Sequence, residues 1–201
     1  NDVPVHLSLK PGKPRGVSRF LSFGGSKNFY GILVKKQRAE KTMREMRRKE
    51  RAMTEEEARR VLDACEYAVL SMADPDGKPY AVPISPAAVG NTVYFHCAPA
   101  GYKLECMEHE PDVCLVCAGG VVPIPEQFST AYQSVVAFGR AEPVTDDTEK
   151  IHALRLICEK YAPSNMGGFD EAIRNSLART GIVKIKLREI SGKQKKLREK
   201  K

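Results

Sequence analysis

Three runs of β-forming residues, Tyr67 to Met72, Tyr80 to Ser85 and Thr92 to Cys97, follow one another with only Asp74-Pro-Asp-Gly77 and a second turn at Gly90-Asn91 to separate them. Such short connections force neighbouring runs to pair antiparallel, because a parallel pair needs a crossover of a dozen residues or more. Gly77 stands where a hairpin turn needs a residue that accepts positive φ. Further strands read at Val113 to Ala118 and Ala131 to Glu142, on either side of a Pro123/Pro125 loop, with Gly139 as a bulge. Ile182 to Ile190 alternates as a closing strand. Six strands joined mostly as hairpins predict a mainly β fold with flanking helices, an antiparallel six-stranded barrel, since closing a small sheet removes its exposed edges.

The helices have their own signals. Thr54-Glu-Glu-Glu57 is a capping box, and Ala58, Val61, Leu62 and Cys65 after it fall on one helical face. Tyr102 to Glu108 reads as a short helix, Asp146 to Tyr161 is amphipathic through Ile151, Leu154, Ile157 and Tyr161, and Phe169 to Ala178 gives another.

With 201 residues, of which 42% are hydrophobic, the chain is sized for one domain with tails. The net charge of +8 invites a nucleic-acid partner, but it is not spread evenly. Residues 1–42 carry nine Lys/Arg against Asp2 and Glu40, and residues 191–201 carry six against Glu199, which leaves −4 on the rest. Cations confined to Gly/Pro/Ser/Lys stretches do not make a nucleic-acid groove. The expected organisation is a basic extension over 1–42, a folded domain over 43–190 and a basic tail over 191–201. The first methionine, Met43, marks that first boundary. Residues 1–42 read either as a processed targeting leader or, preferably, as an upstream extension, in which Leu9 to Tyr30 could add a strand. No apolar run reaches the ~20 residues of a membrane span. The six cysteines lie within expected strands and helices, which fits a reducing cytoplasm. Cys106, His109, Cys114 and Cys117 resemble a zinc set, yet Cys114 and Cys117 are three apart on one strand and point to opposite faces, so no metal is expected.

Signatures of P-loop, serine-hydrolase, zinc-protease and dinucleotide-binding sites are absent from the sequence. What remains is Tyr94-Phe-His-Cys-Ala-Pro-Ala-Gly-Tyr-Lys-Leu104, a strand that breaks and then opens a helix. Gly101-Tyr102-Lys103 would offer free amides and one ammonium at the same point, the local chemistry of a phosphate pocket.

That segment, preceded by Tyr80-Ala-Val-Pro-Ile-Ser85 and followed by Tyr132-Gln-Ser-Val-Val-Ala-Phe-Gly139, resembles the flavin-binding split-barrel superfamily, and more narrowly its nitroimidazole-resistance (Nim-type) branch. The resemblance runs from Met43 to about Ser191. It implies a homodimer holding FMN between subunits, reduced by NADH or NADPH and passing electrons to a small acceptor such as a nitroaromatic compound. It also assigns Lys103 to the phosphate, and Val82, Pro83, Ile84, Ser85, His96, Cys97, Ala98 and Ser134 to the ring. His96 is the candidate catalytic residue, as a proton or hydrogen-bond donor to the acceptor. The other readings of His96 are a strand histidine bonded to backbone carbonyls and a haem ligand. A flavin or haem carrier without turnover is the alternative function. Pyridoxamine phosphate oxidases of the same superfamily carry cations where this chain has Ala81 and Pro86, and Ser-Arg-Lys in place of Gly101-Tyr102-Lys103. The sequence therefore displays no cation set for a phosphate on the substrate, which argues against that reaction.

Overall fold

The structure, a computed structural model, describes residues 44–197. The extension over 1–42, with any strand between Leu9 and Tyr30, lies outside the described residues. The capping box forms as its sequence dictates: the Thr54 hydroxyl accepts from the Glu57 amide at 3.2 Å, and the Glu57 carboxylate accepts from the Thr54 amide at 2.8 Å. Helix α1 (Glu55–Ala64) then turns Ala58, Val61 and Leu62 inward. Strands β1 (Ala68–Ala73) and β2 (Pro79–Ile84) make the expected hairpin. Its turn is organised by the Asp74 carboxylate, which accepts from the amides of Asp76 and Lys78 at 2.9 and 2.7 Å, and Gly77 takes a φ of 79°.

The next element departs from expectation. A three-residue strand, β3 (Ala87–Val89), pairs with β4 (Thr92–Cys97), so the sheet has seven strands and not six. After α2 (Tyr102–His109) come β5 (Asp112–Ile124), β6 (Ser129–Pro143), α3 (Asp147–Tyr161), α4 (Phe169–Ser176) and β7 (Gly181–Lys195). All pairings are antiparallel, in the order β2-β1-β5-β6-β7-β4-β3. The hydrogen-bonded ladder is not closed, which corrects the closed six-stranded barrel: β2 and β3 are its two edges. Only Ser85 and Pro86 separate those edges in the chain, and three residue steps reach at most about 11 Å. The sheet must therefore roll until its two ends come side by side.

Inside the roll, Leu70, Val93, Phe95, Leu115, Val135, Val183 and Ile185 pack with α1 into one core. Each such side chain contributes roughly 1.5–3 kcal/mol by leaving water. A second cluster lies outside, where Tyr94 of β4 and Ile182 of β7 meet Leu154, Ile157 and Phe169 from α3 and α4. Three boundaries run past their expected limits. β5 and β6 continue beyond Ala118 and before Ala131 as a two-stranded arm, because a register shift between Gly119 and Val122 breaks the alternation that marks a strand in sequence. β7 continues to Lys195, five residues past Ile190, where polar and basic residues conceal it. The register does shift between Phe138 and Gly139, but the extra residue is Arg188 of β7 and not Gly139, where a Cβ would lie 2.6 Å from the carbonyl oxygen of Lys186.

Candidate functional site

Pro86 creates the site. In the β3–β4 pair Ala87 faces Tyr94, so continuing that register would set Pro86, Ser85 and Ile84 opposite Phe95, His96 and Cys97. Pro86 has no amide to donate, and its carbonyl is taken by the Lys160 ammonium at 2.8 Å and the Tyr161 hydroxyl at 3.0 Å. Pairing stops there. The chain turns away into β2, which bonds only to β1, while Phe95, His96 and Cys97 bond only to β7. The result is a slot walled by two free strand edges, β2 on one side and the end of β4 on the other.

The far end of the slot is spanned by α2. Tyr102 donates its hydroxyl to the Asp74 carboxylate at 3.0 Å and sets its ring edge-on to Tyr80, 4.9 Å between centroids. This ties the start of α2 to the β1–β2 turn. The Asp74 carboxyl is held below the ordinary carboxylate range, first by the Lys78 amide and also by Tyr102. The Tyr102 phenol is pushed up to about 12, chiefly by its bond to Asp74. Helix α1 has a capping side chain in Thr54 and α3 has one in Asp146. Gly101, at the start of α2, has a φ of 142° and offers none. The amides of Tyr102 and Lys103 thus point outward with no partner among the described residues, at the positive end of the helix.

The nine residues singled out from sequence occupy two regions. Val82 and Ile84 turn inward, Ala81 and Pro83 outward, so the slot meets β2 through its backbone and not through one row of side chains. The His96 side chain is exposed and has no hydrogen-bond partner among the described residues; the carbonyl-bonded strand histidine is not what the structure contains. Its neighbour Cys97 is buried in the barrel, where burial pushes its thiol up and the Lys103 ammonium pulls the other way. Lys103, not His96, is thus the cation beside Cys97. Ala98 is exposed just past the strand, and Lys103 is half-buried in the first turn of α2. Ser134 stands apart. It lies on β6, three strands from β2, with its hydroxyl bonded to the carbonyl of Lys193 at 3.4 Å. It is also two strands from β4, so it lies at neither edge of the slot.

Sequence reasoning missed Tyr102, Tyr80, Asp74 and the Lys160/Tyr161 clamp on Pro86. The signal available was Asp74-Pro-Asp-Gly77 itself, whose first aspartate spends one carboxylate oxygen on its turn and keeps the other for Tyr102. The zinc-like set does not assemble: Cys117 is buried on the inner face of β5 beside Cys65, Cys114 lies on the other face, and no group of metal-ligating side chains occurs among the described residues. None of the described helices is long and apolar enough to cross a membrane.

Known proteins share this architecture. A candidate 5-nitroimidazole antibiotic resistance protein from Bacteroides thetaiotaomicron superposes with a TM-score of 0.62 at 23% identity, covering 71% of this chain and 86% of that one. The flavocytochrome Anf3 from Azotobacter vinelandii gives 0.62 at 26% identity, over 75% and 72% of the two chains. An FAD- and heme-binding protein from Mycobacterium smegmatis gives 0.61 at 23% identity, over 70% and 71%. Comparison with curated proteins returns no match. The family comparison matches the whole stretch that builds the sheet and the slot, residues 54–194, and by it the chain belongs to the pyridoxamine 5'-phosphate oxidase family.

Proposed function

We propose that this protein binds FMN in the slot between β2 and β4 and works as an FMN-dependent oxidoreductase, passing electrons from NADH or NADPH to small nitroaromatic acceptors such as nitroimidazoles. The observation that carries the reading is the slot itself: two free backbone edges that end at an uncapped helix start bearing Lys103. A flat, uncharged ring with a polar rim suits strand edges, and a phosphate suits free amides and an ammonium. The residues present therefore fit the cofactor. The flavin-binding neighbours from Azotobacter and Mycobacterium support a flavin, and the Bacteroides neighbour supports the choice of acceptor.

FMN, when bound, supplies the hydride and electron chemistry; the chain's part is to bind, orient and shield. Lys103 and the first amides of α2 hold the phosphate. Backbone groups of Val82, Pro83, Ile84 and Ser85 face those of His96, Cys97 and Ala98 across the ring. The Tyr102–Asp74 tie fixes α2 relative to β2, and so the spacing between phosphate and ring. His96, free of internal partners, is available to give a proton or hydrogen bond to the acceptor. Ser134 lies at neither edge of the slot, and a homodimer with the cofactor between subunits would bring it to the flavin of the other copy. The protein is proposed to work in the cytoplasm.

A second reading has its own support. His96 is exposed and unpartnered, as a haem ligand would be before binding, and two of the neighbours are a flavocytochrome and an FAD- and heme-binding protein. The absorption spectrum of the purified protein decides between them. Flavin bands with nicotinamide-driven loss of a nitroimidazole support the enzyme, a Soret band supports a haem carrier, and a protein that takes up neither group defeats both.

A further inference from the structure

The end of β7 assembles cations that the sequence shows only as a tail. Lys193 faces Ser134 and Lys195 faces Tyr132 across the β6–β7 ladder. A third cation comes from the segment before α1: the Met53 amide donates to the Gly192 carbonyl at 3.0 Å, and Ala52 bridges to Lys193. Gly192 permits this approach, because a Cβ there would sit 2.9 Å from the Ala58 Cβ and 3.0 Å from Met53. Arg51 is thereby brought, with Lys193, into the neighbourhood of the Tyr132 phenol. Burial pushes that phenol up, but the nearby Arg51 and Lys193 bring it, on balance, below its usual range. Lys195 donates to the Ser129 hydroxyl. None of the ion pairs among the described residues involves Arg51, Lys193 or Lys195.

Arg51 and Lys193 lie near the phenol and Lys195 stands opposite it in the ladder, and with none of the three ion-paired among the described residues they repel one another. A multiply charged anion relieves that repulsion. Arg offers a planar fork and the lysines offer point charges, the usual composition of a phosphate site.

We propose that Arg51, Lys193 and Lys195, arranged around Tyr132 on the β6–β7 face, form an anion site for a phosphate-bearing ligand, distinct from the phosphate position at the start of α2. The phosphate belongs either to a dinucleotide or to a separate phosphorylated compound, and the test separates the two. Inorganic pyrophosphate is titrated calorimetrically into the full chain, into Lys193→Gln/Lys195→Gln, and into Lys103→Ala. The expected result is two separable pyrophosphate binding events, of which the double variant weakens one roughly tenfold or more and keeps the other, while Lys103→Ala does the reverse. This arm stands whether or not the chain binds flavin. The protein has no tryptophan, so tyrosine ionisation is readable in the near-ultraviolet. Bound pyrophosphate should move the earliest-ionising tyrosine to higher pH, and the shift should vanish in Tyr132→Phe, a variant that keeps the ring packing. FMN and FAD titrations, which rest on the flavin reading, then name the source: FAD weakened with FMN unchanged means a dinucleotide, and both unchanged means a separate phosphorylated ligand. Pyrophosphate bound equally by parent and double variant overturns the proposal. So does the loss of both events in Lys103→Ala, or equal loss of FMN and FAD in the double variant, since each merges the site with the slot.

Discussion

At the scale of single residues, each proposed role has its own measurable consequence. Lys103→Ala removes a charge-assisted bond to phosphate and should weaken FMN binding by about 1.5–3 kcal/mol, roughly ten- to a hundredfold, in a titration of the apoprotein. Unchanged affinity would remove Lys103 from the site. His96→Ala should lower nitroimidazole turnover roughly ten- to a thousandfold while FMN content falls much less, because backbone and phosphate contacts persist. A variant at the parent rate with full occupancy makes His96 a bystander. Tyr102→Phe keeps the ring against Tyr80 and deletes the bond to Asp74. Flavin affinity should drop by less than in Lys103→Ala, and the pH dependence identifies the cause. The Asp74 carboxyl is depressed in the folded state, so its stabilising contribution is present above the ordinary carboxylate range and is lost as pH falls through the folded value. The Tyr102 phenol is raised to about 12, so its contribution holds below its ordinary range near 10 and is lost as pH rises through the folded value. The difference in thermal stability between parent and Tyr102→Phe should therefore close in acid and again in strong alkali; a constant difference would rule out the tie as its origin.

At the scale of elements, α3 is held to the sheet by a small polar lock. Glu149 accepts from Tyr94 at 3.0 Å and from the Lys184 ammonium at 2.8 Å, joining α3, β4 and β7. Lys184 is only 19% exposed, so Glu149→Gln leaves a largely buried ammonium without its counter-charge. We expect a cost of about 1–3 kcal/mol in denaturant unfolding, with m unchanged. No loss of stability would mean that the Tyr94 and Ile182 packing alone holds α3. Elements with strong local signals were legible in the sequence: the Thr54 box, the Asp74 turn and β4 each stand where their residues demand. The misses share a cause. β3 is three residues between a proline and a glycine, the β5–β6 arm is interrupted by Gly119 and Gly120, and the end of β7 is basic and polar, so none shows the period of two that marks a strand. The slot was half legible. Lys103 at an uncapped helix start can be read from Gly101-Tyr102-Lys103, but the opposition of Ser85 to His96 depends on register between strands, and the cations of Arg51 and Lys193 meet only in three dimensions.

At the scale of the whole molecule, the outer face of the sheet bears on the proposed pairing of two chains. The register aligns Pro83, Val69, Val116, Val136 and Ser191 in one row across five strands, and Ala81, Ser71, Cys114, Phe138 and Glu189 in the next. The helices pack elsewhere: α1 joins the inner core, and α3 and α4 cover Tyr94 and Ile182. A mostly uncharged face with Phe138 38% exposed at its centre suits burial against its own copy, which a two-fold axis permits with one patch. It also answers the separation of Ser134 from the slot, since a second copy can carry its Ser134 to the first copy's flavin. Phe138→Glu places a carboxylate beside Glu189 on that face and should convert the dimer to a monomer in light scattering. Loss of FMN should accompany dissociation, although Lys103 and the slot edges are untouched. A monomer that retains full flavin would confine the cofactor to one chain and return Ser134 to packing, whereas a parent already monomeric with flavin bound would end the dimer reading at once.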